Sequence, residues 1–124
     1  MLLLILFVLF YVVLKDSSLK VSADELVSGY DLNINAANKK FLGKEIELTG
    51  TAKSFFQFEG EKSLLELRKA KDDLKLYCIL MNNEIDEKAS TLTNGTPVTV
   101  FGKCLGIKDY KFPNSIYIEA ERIK

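Results

Sequence analysis

The chain opens on an unbroken apolar run, MLLLILFVLFYVVL, and the first charge is Lys15. As a helix, residues 1–14 would span about 21 Å at 1.5 Å per residue. That is short of the roughly 30 Å hydrocarbon layer of a bilayer. The run fits an uncleaved membrane anchor (a signal-anchor or short transmembrane helix) or the apolar part of a cleaved signal. Burial within the domain is the third reading. No Lys or Arg precedes it, so its orientation is weakly specified. Residues 15–21 read as a polar linker.

At Ser22 the pattern takes a period of 3.6. Ser22-Ala23-Asp24-Glu25 has the capping-box form, with acids in the first turn. Leu26, Tyr30, Ile34, Ala37 and Phe41 then fall on one helical face, and Gly43 stands where a C-cap belongs. This predicts one helix from Ser22 to about Phe41.

From Lys44 the period becomes two. Ile46, Leu48, Gly50 and Ala52 alternate with polar residues, a half-buried strand. Phe55 to Glu61 reads as the strand end and a hairpin turn. Ser63 to Arg68 is a second strand, Lys69 to Asp73 a charged turn, and Leu74 to Leu80 a third strand. A short helix follows, capped by Asn82 or Asn83, with Ile85, Ala89 and Leu92 as its apolar face. Pro97 opens a fourth strand with Val98, Val100 and Gly102. Cys104 to Pro113 reads as a loop. Ile116, Ile118 and Ala120 form the inner face of a fifth strand, with Tyr117, Glu119 and Glu121 outward.

Five strands with a helix between the third and fourth follow the order of the OB-fold, a small Greek-key barrel. The expected fold is mainly β: a five-stranded OB-fold barrel with an N-terminal α-helix and a short helix between strands 3 and 4, preceded by the apolar segment. Glycines 50 and 102, inside the first and fourth strands, suit the bends of such a barrel. The expected domain is residues 22–124.

Composition narrows the function. The 124 residues carry 17 basic and 17 acidic side chains, which disfavours a strongly cationic nucleic-acid binder. There is no histidine, so the side chain most used in acid–base catalysis is missing. No phosphate loop, nucleophile elbow or zinc-protease helix occurs. The acidic pairs Asp24/Glu25, Asp72/Asp73 and Asp86/Glu87 suit helix starts and turns better than metal ligation. No enzyme activity, cofactor or metal is expected.

Leu26, Tyr30, Asn33, Ala36, Ala37, Phe41, Gly43, Lys44, Ile46 and Gly50 together resemble the opening of the tRNA-anticodon-like OB-fold family. Cys78 and the stretch Val98-x-Val100-x-Gly102-x-Cys104-x-Gly106 add to the likeness, which runs over about residues 22–122. The resemblance implies a small bacterial chain with an OB-fold and an N-terminal membrane or lipid anchor. Family members often carry a further cysteine near the end of the last strand. Here that stretch is Glu119-Ala120-Glu121-Arg122. Any bridge would have to join Cys78 to Cys104, and two free buried thiols are expected.

OB-folds bind single strands on aromatic, basic faces. Phe55, Phe56 and Phe58, with Lys53, Arg68, Lys69, Lys71 and Lys75 nearby, are candidates for such a face. The competing reading puts at least two of these phenylalanines inside the barrel, with the lysines a solvated surface interrupted by acids. Tyr110, Phe112 and Tyr117, around the last loop, could hold a peptide, glycan or headgroup. The candidate ligand-binding residues are therefore Phe55, Phe56, Phe58, Arg68, Lys75, Tyr110 and Tyr117. The expected function is a non-enzymatic, membrane-anchored binding module outside the cytoplasm, its partners being the membrane through residues 1–14 and a protein, glycan or small molecule. A secreted or periplasmic form is the alternative place. A single-stranded nucleic-acid binder is the alternative function.

Overall fold

In a computed structural model of the chain, residues 18–68 and 74–124 are described. The proposed anchor at 1–14, residues 15–17 of the proposed linker, and the charged turn at 69–73 lie outside them.

The alternation that begins near Lys44 runs through one long strand, β2 (Glu45–Phe58). Its first half pairs antiparallel with β5 (Pro97–Lys108), from Glu45↔Lys103 to Thr51↔Pro97. Its second half pairs antiparallel with β3 (Glu61–Arg68). β3 pairs with β4 (Lys75–Leu80), and β4 runs parallel to β6 (Ser115–Ile123). β6 in turn lies antiparallel to β5, which closes the barrel. The five-stranded barrel expected from the pattern is present.

Several details differ from expectation. The end of the proposed linker is a strand, β1 (Leu19–Ser22), parallel to β2 from Leu19↔Ile46 to Ser22↔Thr49. Val21 reaches the core from it, so these residues are part of the domain.

The leading helix is two helices, α1 (Ala23–Leu32) and α2 (Ile34–Phe41). Asn33 divides them with an extended backbone, φ −161° and ψ 104°. Its N–H donates to the Gly29 carbonyl at 3.1 Å, and its side-chain oxygen accepts from the Ala36 N–H at 3.0 Å. One asparagine thus ends one helix and caps the next. The break takes Ile34 off the apolar stripe and leaves it 51% exposed. Leu26, Tyr30, Ala37 and Phe41 are buried as the pattern requires. Ser22 is the N-cap, its Oγ accepting from the Glu25 N–H at 3.1 Å, and the Glu25 carboxylate returns to accept from the Ser22 hydroxyl at 3.1 Å in place of the backbone N–H of a full capping box.

α3 (Asn83–Ser90) carries Ile85 and Ala89 into the core. Asn82 caps it and ties it to β6 by donating to the Glu121 carbonyl at 3.0 Å. Ser63 donates to Asp86 at 3.0 Å, fastening α3 to β3. α1 and α2 close one end of the barrel, where Tyr30 meets Cys104, and α3 closes the other.

β5 runs to Lys108, so the loop expected from Cys104 begins only at Asp109. Gly106, at φ +74°, sits in a register shift against β6 and lets the strand continue.

Cys78 and Cys104 are both free and buried. Each is a register partner of Ile118, so β6 lies between them. Burial pushes the Cys78 thiol up to about 12. Burial likewise raises Cys104, against the opposing hydrogen bonds of the Gly106 backbone and the Tyr30 hydroxyl. Among the described residues no helix is long and apolar enough to cross a membrane.

Candidate ligand-binding face

A strand with one wet face should alternate cleanly, and β4 does not. Tyr77 and Ile79 are apolar in the opposite phase to Leu76, Cys78 and Leu80, which signals cover on both sides. The structure supplies that cover. Leu64, Tyr77 and Tyr117 form a second buried cluster on the outside of the barrel, packed by Phe56, Phe58, Ile79, Leu105 and Phe112.

Register builds this face. Phe56 stands opposite Leu64, Leu64 opposite Ile79, and Tyr77 opposite Tyr117. The loop after β5 then folds across it. Phe112 stacks on Tyr77, with ring centroids 4.7 Å apart and 16° between planes. Phe56 meets the same Phe112 ring at 5.1 Å, and Tyr110 meets Tyr117 edge-on at 5.6 Å. The Tyr117 hydroxyl donates to the Phe112 carbonyl at 2.6 Å and accepts from the Phe112 N–H at 2.9 Å. Lys111 pairs with Glu61 and lies 4.9 Å from the Phe58 ring centroid.

Tyr117→Phe removes both bonds to the Phe112 backbone. The expected cost is about 1 kcal/mol. Amide exchange should speed at Phe112 while the centres of β4 and β6 stay protected. Unchanged exchange at Phe112 would show that the phenol does not hold the loop.

The basic rim is partly neutralised. Glu66 is buried, with Lys53 Nζ at 3.4 Å and Lys75 Nζ at 3.8 Å. Glu66 also stands opposite Tyr77 in the β3–β4 register. Burial first, then the Glu66 carboxylate and Tyr117, push the Tyr77 phenol up to about 12. Burial is also the main cause of the raised Tyr117. Both phenols are therefore neutral at pH 7, suited to packing and hydrogen bonding rather than to acting as a base.

Of the sequence-predicted residues, the structure brings Phe56, Phe58, Tyr110 and Tyr117 together on one face, with Lys75 at its rim. Tyr117, expected to face outward beside Glu119, does so but is sealed under the loop. Phe55 is a correction: it turns inward and packs on the main core. It is the only one of the three phenylalanines that does, so the reading that placed at least two inside is corrected too. Arg68 sits apart at the exposed end of β3, bonded to Asn94. Tyr77, Lys111 and Glu66 were missed. The two-phase apolarity of β4 was the available signal for Tyr77; nothing local marks Glu66 or Lys111, whose roles depend on other strands. Among the described residues no group of three potential metal ligands occurs.

The family model for tRNA_anti-like proteins matches residues 2–114. No curated protein sequence matches the chain. Among solved structures, a Klebsiella pneumoniae lipoprotein of proposed nucleic acid-binding function has a TM-score of 0.58 at 17% identity, over 85% of this chain and 92% of that one. Asparaginyl-tRNA synthetase from Pyrococcus horikoshii has a TM-score of 0.57 at 20% identity over 85% of this chain. This chain spans only 22% of the synthetase. At these identities the likeness is one of fold.

Proposed function

The chain belongs to the tRNA_anti-like family, and from that premise we propose that it is a non-enzymatic binding module, tethered to a membrane by residues 1–14 and facing outside the cytoplasm. Its ligand surface is the outer aromatic face. The observation that carries this reading is the gathering of Phe56, Phe58, Tyr110 and Phe112 around the buried Tyr77–Tyr117 pair, with ring surface still open beside lysines. Such a surface suits flat rings with polar edges: aromatic side chains of a peptide, sugar rings of a glycan, or a small ring-bearing molecule. The apolar run and the lipoprotein neighbour support the tether.

A second reading has one observation in its favour. Lys53 and Lys75 flank the aromatic face as phosphate partners would flank stacked bases. It would make the chain a single-stranded nucleic-acid binder. Glu66 between those lysines, and the balanced net charge, weigh against it.

Two measurements separate them. A C-terminal epitope on the full chain should sediment with membranes and be destroyed by protease added to intact cells. Survival of the epitope until the cells are opened would remove the extracytoplasmic reading. The full chain in detergent is then titrated with aromatic peptides, glycan fragments and oligonucleotides. Phe56→Ala or Phe58→Ala should weaken the ligand that binds about tenfold, at roughly 1–3 kcal/mol per stacked ring. Oligonucleotide binding that falls steeply with salt would put the second reading first.

A further inference from the structure

If residues 1–14 hold a bilayer, the domain hangs on a very short leash. β1 begins at Leu19, five residue steps beyond Leu14. Fully extended, those steps reach about 17 Å. Part of the barrel surface must therefore face the membrane, and the exit point decides which part. Leu19 is the parallel partner of Ile46 near the start of β2. Immediately before β2 comes the turn that ends α2. Leu42 N–H donates to Asn38, and Gly43 N–H donates to the Cys104 carbonyl at 2.8 Å, so the turn is fixed to the barrel.

The side chains of that turn have the composition of a lipid contact. Leu42 lays one methyl over Gly106 of β5, yet the side chain remains 47% exposed, so about half of it is open to a further apolar contact. Lys39, Lys40 and Lys44 surround it in sequence and are exposed. The adjacent acid Glu45, opposite Lys103 in the β2–β5 register, offsets one of these charges and leaves lysine in excess on the turn. Lysines at a helix C-terminus also complement the helix dipole, but Lys44 lies beyond the helix and Leu42 has no such role.

We propose that this turn, residues 39–44, is a docking surface for an anionic lipid bilayer, with Leu42 entering the headgroup layer and Lys39, Lys40 and Lys44 meeting phosphates. This rests on the tethered reading above. Each lysine near an anionic surface shifts the docked-to-undocked ratio about fivefold, so the three together are worth roughly a hundredfold.

The test uses the full chain reconstituted into vesicles of phosphatidylglycerol and phosphatidylcholine, with pure phosphatidylcholine as comparison. Cys78 and Cys104 are buried, so an added cysteine takes up a fluorophore selectively. Leu42→Cys is compared with Glu87→Cys on α3 at the far end of the barrel, and Lys40→Cys serves if Leu42→Cys does not fold. Brominated lipid should quench the label at position 42 and leave the label at 87 bright. Combining Leu42→Cys with Lys39→Glu, Lys40→Glu and Lys44→Glu should abolish the difference, as should removing phosphatidylglycerol. Protein that floats with vesicles but shows equal quenching at both positions overturns the docking surface and leaves the tether standing. Protein that does not float with either vesicle overturns both.

Discussion

Replacing Gly102 by alanine is expected to unfold the barrel or bring it close to unfolding. Gly102 is paired on both sides, with Ile46 of β2 and Ala120 of β6, beside a register shift. A Cβ there would land on the Glu119 carbonyl oxygen and within 2.9 Å of the Ala120 Cα. Those atoms are backbone in a paired strand, so they cannot rotate away. Overpacking a core commonly costs 1–3 kcal/mol; here about 3 kcal/mol or more is expected, against a total stability of roughly 5–15 kcal/mol. Thermal unfolding followed by circular dichroism should show the midpoint falling by roughly 10 °C or more. Gly50→Ala is the comparison. Its Cβ would meet the Ala23 Cβ at 3.2 Å and a Leu67 methyl at 3.4 Å, contacts with side chains on elements that can shift. About 1 kcal/mol is expected there. Equal, small effects at both positions would show that β5 and β6 can separate locally.

Stability should also collapse on the alkaline side. The Cys78 thiol is held up to about 12 by burial, against an ordinary value of 9.0. The unfolded chain releases that proton near pH 9, while the folded chain keeps it until about pH 12. The contribution is therefore complete below pH 9, declines as pH rises above it, and is gone near pH 12. From this thiol alone it amounts to at most about 4 kcal/mol. Tyr77, raised to about 12 from 10.0, acts in the same direction over the upper part of that window. Cys104, Tyr30 and Tyr117 are raised as well, chiefly by burial. Urea midpoints taken from about pH 7 to about pH 11 should fall steadily above pH 9. Cys78→Ala should make that fall shallower. A midpoint unchanged to pH 11 would mean that water reaches the thiol.

The fold was readable wherever one face of an element is wet. β2, β5 and β6 alternate, so their inward residues, Ile46, Leu48, Val98, Val100, Ile116 and Ile118, could be identified in advance. The N-caps at Ser22 and Asn82 were readable because caps are local. The division at Asn33 was not, since a stripe of Leu26, Tyr30, Ile34, Ala37 and Phe41 continues across it at helical spacing. Only the double use of the asparagine, as an acceptor ahead and a backbone donor behind, breaks the helix. β1 was hidden because four residues carry too little periodicity, and its partner lies 27 positions away.

The ligand face was legible in its residue types but not in its assembly. Phe56 and Phe58 stood out as aromatics near a hairpin, yet adjacent Phe55 points the other way, as strand geometry requires. The joining of that hairpin and of β4 to the last loop depends on Lys111 reaching Glu61 and Phe112 lying on Tyr77. Those are contacts between segments about fifty and thirty-five residues apart, and no local pattern announces them.

The place of β6 has a consequence for how the molecule is made. It is the last of the barrel strands in chain order, yet it sits between β4 and β5 and pairs with both. Until Ser115–Ile123 has left the ribosome, β4 and β5 each present an open hydrogen-bonding edge lined by Leu76, Cys78, Val100 and Cys104. A nascent chain, or one cut before Ser115, is thus a sticky intermediate that other strands can join. The barrel depends on its final segment for protection from aggregation.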